Sequence, residues 1–305
     1  MNAARRWPAA SDGFVSDPAS RGEAGCAPSQ PRVAAVPDMA QAYDRYFATG
    51  AYAARYEGVN AFVWDRVVHH LRAVDADAPR VLDFGCGDGR YALPLLRETS
   101  ARVTAYDISH EALRQLSMRA VAARCDLARL DVLHGAVDDP LAGVEPASFD
   151  VACLLFGVLG HVRGRANRIA LLDRVRSRLV PGGALICSVP SRLRRLHTEQ
   201  RATPTGTRLE AGLEAGSGAG LEAGDVLYRR ASDEGPIDLF YHVFTPAEAA
   251  GELRDAGFAV TASAPESVLP EVGATATAPG RLLERLLRPV TPLSLGYGFL
   301  LEARA

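Results

Sequence analysis

The sequence predicts a doubly wound α/β fold, in which helices cover both faces of a mostly parallel β-sheet. From Arg80 onwards, short apolar runs alternate with stretches whose apolar residues have helical spacing. Such alternation is typical of parallel strands that are joined by helical crossovers. Seven apolar runs are candidate strands, namely residues 81–85, 102–107, 128–134, 150–156, 184–189, 258–263 and 297–303.

The helices are indicated by amphipathic spacing and by end signals. Helical spacing begins at Asn60, ahead of the first strand, and returns after the first, second and fourth strand candidates, at residues 90–98, 110–122 and 167–179. A later helix has a complete start signal, with Thr245 as the N-cap, Pro246 at the first position and Glu248 at the third. Gly257 then marks its end.

The composition of the chain restricts the classes of function. The 305 residues are 48% apolar and carry a net charge of −2, with 34 arginines and no lysine. The chain therefore has no overall basic field for nucleic acid. Its five cysteines include no CxxC pair, which favours a reducing cytoplasm over a disulfide framework or a zinc site. No apolar run has the length of a membrane span. We also expect no signal peptide, since no apolar segment follows Arg5 and Arg6.

A glycine-rich turn follows the first strand candidate. In VLDFGCGDGRY, glycines stand at positions 85, 87 and 89, and Asp83 precedes them. A strand that ends in glycines and runs into a helix lets backbone N–H groups approach a ligand closely. Dinucleotide sites use the spacing GxGxxG for a pyrophosphate, whereas the spacing here is GxGxG with a nearby acid, which suits a ligand with an amino group. Asp107, at the end of the next strand, can accept both hydroxyls of a ribose.

Four stretches in the central part of the chain carry a family resemblance. VLDFGCGDGRY, AYDIS, SFDVACLLFGVLGHV and LVPGGALICSVP resemble, in order and spacing, the successive motifs of class I S-adenosylmethionine-dependent methyltransferases. The resemblance covers about residues 80–189 and continues loosely to the C-terminus. It implies a seven-stranded sheet with an antiparallel C-terminal strand, S-adenosyl-L-methionine as the cofactor, and a cytoplasmic enzyme that transfers a methyl group.

The domain organisation follows from these motifs and from composition. Residues 1–38 are rich in Ala, Pro, Ser, Gly and Asp without periodicity, which predicts a disordered tail. Residues 202–224 contain LEAG three times, which indicates a flexible surface loop. We expect one methyltransferase domain over residues 39–305, made of a helical lid at 39–78, a cofactor-binding core at 80–190, a substrate-side insertion at 191–245, and a closing helix and strands at 246–305.

The resemblance also implies a role for each motif residue toward the cofactor. After the third strand, many family members have an acid that contacts the adenine, whereas this chain has Ala136. Either Ala136 and Val137 contact the adenine through backbone and apolar surface, or Asp138 replaces the acid. The other implied contacts are Gly85, Cys86 and Gly87 along the methionine part, Asp83 near its amino group, Asp107 at the ribose, Ile108 on the adenine, and Leu155 and Phe156 beside the methyl donor.

The candidate residues for the methyl acceptor lie in four segments. Because the sulfonium already activates the methyl group, a general base is needed only for an acceptor that must lose a proton. His161 is either this base or a hydrogen-bonded loop residue. Tyr241 and His242 lie on opposite faces if FYHVF is a strand, so one of them is expected to face the pocket. The remaining candidates are the possible anion clamp Arg163 and Arg165, and the possible lid residues Tyr43, Tyr46 and Tyr56.

Two further charged segments have ordinary alternatives. Arg192, Arg194 and Arg195 follow the fifth strand and could face phosphates, but surface arginines are the expectation in a chain without lysine. Glu266 and Glu271 lie in a segment with prolines on both sides, where solvated acids are the expectation.

The sequence leaves the methyl acceptor open. The expected function is methyl transfer to a small or lipid-like molecule, and no membrane span is expected. An RNA-directed methyltransferase of the tRNA wobble-uridine type is an alternative, since DLFYHVF and the GHV…R stretch are faintly similar to that group. A cofactor-binding subunit without catalytic activity is a third possibility, and the glycine spacing argues against an NAD-dependent dehydrogenase.

Overall fold

The computed structural model describes residues 37–55, 58–135, 140–195, 221–269 and 277–305. These residues all belong to one structural unit. The predicted tail at 1–38 and the predicted loop at 202–224 lie outside the described residues, apart from 37–38 and 221–224. Five candidate site residues, Tyr56, Ala136, Val137, Asp138 and Glu271, also lie outside them.

A seven-stranded sheet forms the centre of the described unit, with the strand order β3-β2-β1-β4-β5-β9-β8. Neighbouring strands from β3 to β5 are parallel, and β9 runs antiparallel to both β5 and β8. This confirms the predicted doubly wound α/β fold with an antiparallel C-terminal strand. The seven strands are β1 (Arg80–Phe84), β2 (Arg102–Asp107), β3 (Leu130–His134), β4 (Phe149–Leu154), β5 (Leu179–Pro190), β8 (Ala259–Ser267) and β9 (Gly298–Arg304).

The helices pack against the two faces of this sheet through two groups of buried apolar side chains. None of the helices in the described part of the chain combines the length and apolar character needed to cross a membrane. The α-helices are α1 (Met39–Ala48), α2 (Ala51–Arg55), α3 (Ala61–Arg72), α4 (Ala92–Glu98), α5 (His110–Ala122), α6 (Arg165–Arg178), α7 (Pro246–Asp255) and α8 (Ala278–Leu287).

A separate two-stranded antiparallel sheet forms between β5 and α7. It consists of β6 (Asp225–Arg230) and β7 (Ile237–His242). Its buried side chains, including Val226 and Leu239, share a hydrophobic cluster with Phe47 and Tyr46 of α1. The two-stranded sheet and the N-terminal helix thus meet through one apolar layer, above the ends of the central strands.

The sequence located most helices and strands to within a few residues of their observed ends. The predicted helix after Asn60 is α3, and the Asn60 side chain caps it by accepting from the N–H groups of Phe62 and Val63. The predicted capping box at Thr245 and Glu248 is also present at the start of α7. The strand expected at 128–134 begins later, at Leu130, because a short 3₁₀ turn precedes it.

Candidate functional site

A cavity of about 790 Å³ lies at the carboxyl ends of β1, β2 and β4. The strand order reverses between β1 and β4, and ligands of open α/β sheets bind at such a switch point. The volume falls within the ~300–1,000 Å³ range of small-molecule pockets. Residues of the glycine turn, the end of β2, the segment after β4 and α1 line the cavity.

Two of the three glycines in the turn face this cavity. Gly85 and Gly87 line it, with φ angles of +74° and +55°, a backbone region in which side chains are strained. A Cβ atom on Gly87 would lie 3.2 Å from Cζ of Phe47, a close approach within the cavity wall. Gly89 serves packing instead, because its Cβ would lie 3.1 Å from Cγ of Leu93.

The turn is held in place by the second strand. The N–H groups of Gly85 and Cys86 both donate to the carbonyl oxygen of Tyr106, at 2.7 and 3.0 Å. The N–H of Gly87 donates to Oδ2 of Asp107 at 2.8 Å, and the N–H of Ser109 donates to Oδ1 at the same distance. These bonds fix the Asp107 carboxylate at the cavity wall.

Two buried carboxyl groups lie in this region: Asp107 lines the cavity, whereas Asp83 does not. Burial, together with the nearby Asp107 charge, raises the pKa of Asp83 to about 7. Burial also raises the pKa of Asp107 to about 6, although the N–H groups of Ser109 and Gly87 oppose the shift. Oδ2 of Asp83 is buried without a hydrogen-bond partner in the protein. A buried polar atom without a hydrogen-bond partner destabilises the folded protein. This oxygen therefore fits a ligand that brings a hydrogen-bond donor, such as the amino group of S-adenosylmethionine.

The segment after β4 forms one wall of the cavity. Leu155 and Phe156 both line it, as the sequence motifs implied. Phe156 has a φ of +63°, which is unusual for a residue with a side chain. Its N–H donates to Oγ of the fully buried Ser188 at 2.6 Å. The strained backbone is therefore held by β5, and it directs the phenyl ring toward the site.

His161 lies in the 3₁₀ turn after this segment and contacts the N-terminal helix. Its Nδ1 is 2.9 Å from the carbonyl oxygen of Phe240, and its Nε2 is 2.7 Å from the hydroxyl oxygen of Tyr43. Because a carbonyl only accepts, Nδ1 carries the hydrogen and Nε2 accepts from the Tyr43 hydroxyl. The ring also stacks on Tyr241, with ring centroids 4.5 Å apart.

The surroundings of His161 keep its imidazole neutral. Burial lowers its pKa to about 4, the hydrogen bond to the Phe240 carbonyl opposes this effect, and the positive charge of Arg195 lowers the pKa further. A neutral imidazole with a fixed tautomer can accept a proton through Nε2. The low pKa makes this imidazole a weak base.

A second cavity of about 30 Å³ adjoins the first. Tyr43, Tyr52, Phe156 and His161 line both cavities. The smaller cavity is completed by side chains of α1, the segment after β5 and the two-stranded sheet, namely Tyr46, Arg195, Tyr228, Arg230 and Tyr241.

The structure brings most of the predicted site residues to these two cavities. Ile108 and Arg163 line the larger one. Of the pair on β7, Tyr241 faces the smaller cavity, which is consistent with the predicted alternation. The predicted site residues that line one of the two cavities are Gly85, Gly87, Asp107, Ile108, Leu155, Phe156, His161, Arg163, Tyr43, Tyr46 and Tyr241.

Four predicted residues in the described part of the chain do not line either cavity, namely Asp83, Cys86, Arg165 and His242. The Cys86 side chain is buried in the hydrophobic core, although its neighbours in the turn face the larger cavity. Arg165 begins α6 at the surface and forms an ion pair with Asp255. The fully buried His242 ring lies between Asp225, 2.6 Å from Nδ1, and Glu248, 3.1 Å from Nε2.

Sequence reasoning missed several residues of the site. Phe47 and Tyr52 line the larger cavity, and Phe47 lies four residues after Tyr43, on the same face of α1. The helical spacing could have identified it. Arg195 was expected at the surface but lines the smaller cavity. No local pattern distinguishes Arg195 from its neighbours.

The sequence and the fold were compared with those of known proteins. A family model of a methyltransferase domain matches residues 56–263. No curated protein matches the chain. Many solved structures do, among them an S-adenosylmethionine-dependent methyltransferase from Methanosarcina mazei, with 19% identity, a TM-score of 0.53, and coverage of 77% of this chain and 95% of that chain.

Two other similar structures differ in what they do. The 1,6-didemethyltoxoflavin-N1-methyltransferase of Burkholderia thailandensis has 21% identity and a TM-score of 0.53, covering 91% of this chain and 93% of that chain. The [4+2]-cyclase SpnF has 15% identity and a TM-score of 0.54, covering 89% of this chain and 97% of that chain. Identities this low show the fold alone. The family match covers more than half of the chain, so the chain belongs to the methyltransferase-domain family, which confirms the resemblance to class I S-adenosylmethionine-dependent methyltransferases.

Proposed function

We propose that this enzyme transfers the methyl group of S-adenosylmethionine to a small molecule. The observation that carries the proposal is the enclosure of the acceptor side. Phe156 and His161 stand between the larger cavity and a second cavity of only about 30 Å³. Aromatic side chains of α1 and β7 close this space. A small molecule can enter such a site when α1 shifts, whereas a folded RNA needs an open basic surface.

The cofactor residues support the proposal through their chemistry. Asp83 would accept from the amino group of the cofactor with its unpartnered Oδ2. Asp107 would accept from the ribose hydroxyls, since each carboxylate oxygen retains a lone pair beyond its backbone partner. When bound, S-adenosylmethionine supplies an activated methyl group, and the remaining task of the protein is to position the acceptor.

The pair formed by Tyr43 and His161 would orient the acceptor and take up its proton. The Tyr43 hydroxyl donates to Nε2 of His161, which leaves the lone pairs of the hydroxyl oxygen to accept from an acceptor O–H or N–H. A proton from the acceptor would pass to Tyr43 while the Tyr43 proton passes to His161. The Phe240 carbonyl oxygen holds the imidazole in the required tautomer.

The proposed function is tested by following the methyl group. The purified protein is incubated with S-adenosylmethionine carrying a labelled methyl group and with a cell extract, and RNA, protein and small molecules are then separated. We expect the label in the small-molecule fraction. Label in RNA would establish the RNA-directed alternative instead. A calorimetric titration in parallel should show binding of S-adenosylhomocysteine and no binding of NAD.

A further inference from the structure

The last helix, α8, exposes an apolar face. Five of the ten large apolar side chains that are exposed in the described part of the chain lie between Leu282 and Leu295. Leu282 and Leu286 of α8 are 60% and 63% exposed, and Val290, in the 3₁₀ turn that follows, is 76% exposed. Single exposed apolar residues are common, but a cluster marks an interaction surface. We call Leu282, Leu283, Leu286 and Val290 the apolar face of α8.

The orientation of α8 is fixed by its polar side chains. Glu284, the one acidic residue of the helix, is 8% exposed, and its Oε1 accepts from the N–H groups of Val268 and Leu269 at 2.8 and 2.5 Å. Cζ of Arg288 lies 3.7 Å from the centroid of the Phe62 ring on α3. The helix therefore turns a carboxylate toward the protein and leucines toward the solvent, which reverses the usual arrangement of an amphipathic surface helix.

The charge around the apolar face is positive. Between Thr277 and Leu301 the sequence contains three arginines and one acid. The acid is Glu284, which faces the protein. Arg285 is exposed and follows Leu282 by three positions, so that it lies at the flank of the apolar face. The solvent side of α8 thus combines leucines with positive charge and carries no carboxylate of its own helix.

We propose that α8 binds the surface of a membrane that contains anionic lipids. Helices of this kind lie in the interfacial region, with leucines among the acyl chains and arginines at the headgroups. A helix that spans a bilayer needs about 20 residues, whereas α8 has 10, so it would lie along the surface. None of its residues lines either cavity. The inference therefore concerns a second site and does not depend on methyl transfer.

Charge and composition favour a lipid surface over a protein partner. A second copy of this chain would bring the same positive charge to the contact, whereas anionic headgroups bring the opposite charge. The apolar face contains three leucines and a valine and no aromatic side chain. Leucine and valine are under-represented among the residues that dominate protein–protein binding, but they suit a fluid acyl layer that requires no matching shape.

The proposal is tested by flotation of the complete protein with two kinds of vesicle, one of phosphatidylcholine alone and one that also contains phosphatidylglycerol. We expect the partition coefficient to be at least about tenfold higher for the anionic vesicles, and to fall when salt screens the arginines. No binding to the anionic vesicles, or equal partitioning into both kinds, would overturn the proposal.

Substitutions locate the contact. Leu282→Gln combined with Leu286→Gln should lower partitioning into anionic vesicles by more than about tenfold, because two apolar side chains no longer leave water. Arg285→Gln should lower it by about fivefold, the scale for one basic residue at an anionic surface. The matched controls are Val121→Gln, at an exposed apolar residue of α5, and Arg97→Gln, at an exposed arginine of α4. Both should partition like the unmodified protein.

The leucine variant also separates the possible occupants of the face. Since both substituted side chains are exposed, the variant should melt like the unmodified protein, so that lost binding reports the surface and not the fold. Unchanged partitioning of this variant would place the lipid contact elsewhere and overturn the inference. A dimer that is detected by analytical ultracentrifugation, and that dissociates in the leucine variant, would assign the face to a second copy and overturn the inference as well.

Discussion

At the scale of single residues, Asp83 is the clearest link between sequence and chemistry. Its position two residues before the glycine turn suggested a partner with an amino group. In the structure its carboxyl group is 3% exposed, and one oxygen has no partner. Burial and the charge of Asp107 raise its pKa to about 7. The residue is therefore close to half protonated at neutral pH before a cationic group binds.

This pKa predicts a pH-dependent affinity for S-adenosylhomocysteine. A cationic amino group binds the ionised carboxylate, and the protonated fraction of free Asp83 grows as the pH falls through about 7. We therefore expect the dissociation constant to rise as the pH is lowered below 7, by at most about tenfold per pH unit from this group. Calorimetry between pH 5.5 and 8.5 measures the effect.

The matched control is Asp83→Asn, which retains the shape and removes the titrating group. It should bind more weakly at pH 8 and lose most of the pH dependence. The dissociation constant of this variant should still change with pH near pH 6, because the pKa of Asp107 is raised to about 6. An affinity for the unmodified protein that is constant from pH 5.5 to 8.5 would contradict a role for Asp83.

His161 gives a second prediction at this scale. If the pair with Tyr43 takes up the acceptor proton, His161→Ala should lower turnover by ~10²–10⁴ and leave the affinity for S-adenosylhomocysteine nearly unchanged. Tyr43→Phe should lower turnover to a similar extent, and the double variant should be no slower than either. Turnover is measured on the acceptor found by labelling. Normal turnover of His161→Ala would make the residue structural.

At the scale of elements, apolar runs located the strands because buried parallel strands are nearly continuous in apolar residues. The residues at which the strands begin and end were less well predicted. β5 begins at Leu179, which pairs with Phe149, and pairing resumes at Ala184 with Val151. Residues 180–183 bulge out between these pairs, which explains why VPGG looked like a turn. α8 was not predicted, although Leu282, Leu283, Leu286 and Leu287 have helical spacing. Three of these leucines, Leu282, Leu283 and Leu286, are exposed in the structure.

A buried network of charges attaches the two-stranded sheet to α6 and α7. Arg168 of α6 is fully buried and bonds Glu252 and Glu222. Atoms of Glu222, Asp225 and His242 lie within 4.8 Å of one another, but each of these groups already has a partner of opposite charge or a hydrogen bond. We interpret Glu222, Asp225 and His242 as a structural network. Its hydrogen bonds hold the His242 ring away from both cavities.

His242 gives the prediction for this element. Burial lowers its pKa, but the hydrogen bonds to Asp225 and Glu248 outweigh burial and raise it overall. Since the folded protein holds this proton more tightly than the unfolded chain, the stabilisation is complete below the unfolded pKa of ~6.5. This stabilisation is lost as the pH rises through the raised pKa that His242 has in the folded protein. We expect the melting temperature to fall between pH 6 and pH 9.

The substitution His242→Gln should remove most of this pH dependence. It should also lower the free energy of unfolding at pH 6 by ~3–5 kcal/mol, because Asp225 is left buried without its charged partner. Arg229→Gln, in an exposed pair on the same sheet, is the control and should melt like the unmodified protein. A His242→Gln variant with unchanged melting at pH 6 would show that the ring is neutral in the fold.

At the scale of the whole molecule, the sequence indicated the cavity wall formed by the glycine turn and the strand ends, but it did not indicate how α1 and β7 complete the cavities. The predicted cofactor residues come from short segments at the ends of β1, β2 and β4, so that strand and turn positions alone place them. The acceptor side joins Tyr43 to His161 and His161 to Phe240, across 118 and 79 positions of the chain. Such contacts depend on how separate elements pack, which periodicity does not encode. Tyr241 and Arg195 likewise line the smaller cavity through the packing of separate elements.

The N-terminal helix α1 connects the two sides of the site. Oδ1 of Asp44 accepts from Oγ of Ser109 and from the N–H of Glu111, and so helps to cap α5. Nε2 of Gln115 donates to the carbonyl oxygen of Phe47. The opposite face of α1 carries Tyr43 to the cavity. A helix that bonds to the start of α5 and also carries Tyr43 into the cavity lining is well placed to act as a lid.

The last prediction concerns this lid. Binding of S-adenosylhomocysteine should slow hydrogen exchange in residues 39–55, because the ligand would fill the space under Tyr43 and Phe47 and suppress opening of α1. Asp44→Ala should speed exchange in α1 and in the first turn of α5 and raise the dissociation constant several-fold, since about 1 kcal/mol of capping is lost. Asp65→Ala, on α3 outside both cavity walls, is the control and should behave like the unmodified protein. Exchange in α1 that is unaffected by the ligand would show that the helix is a fixed wall, and the acceptor would then have to enter from the side of the two-stranded sheet.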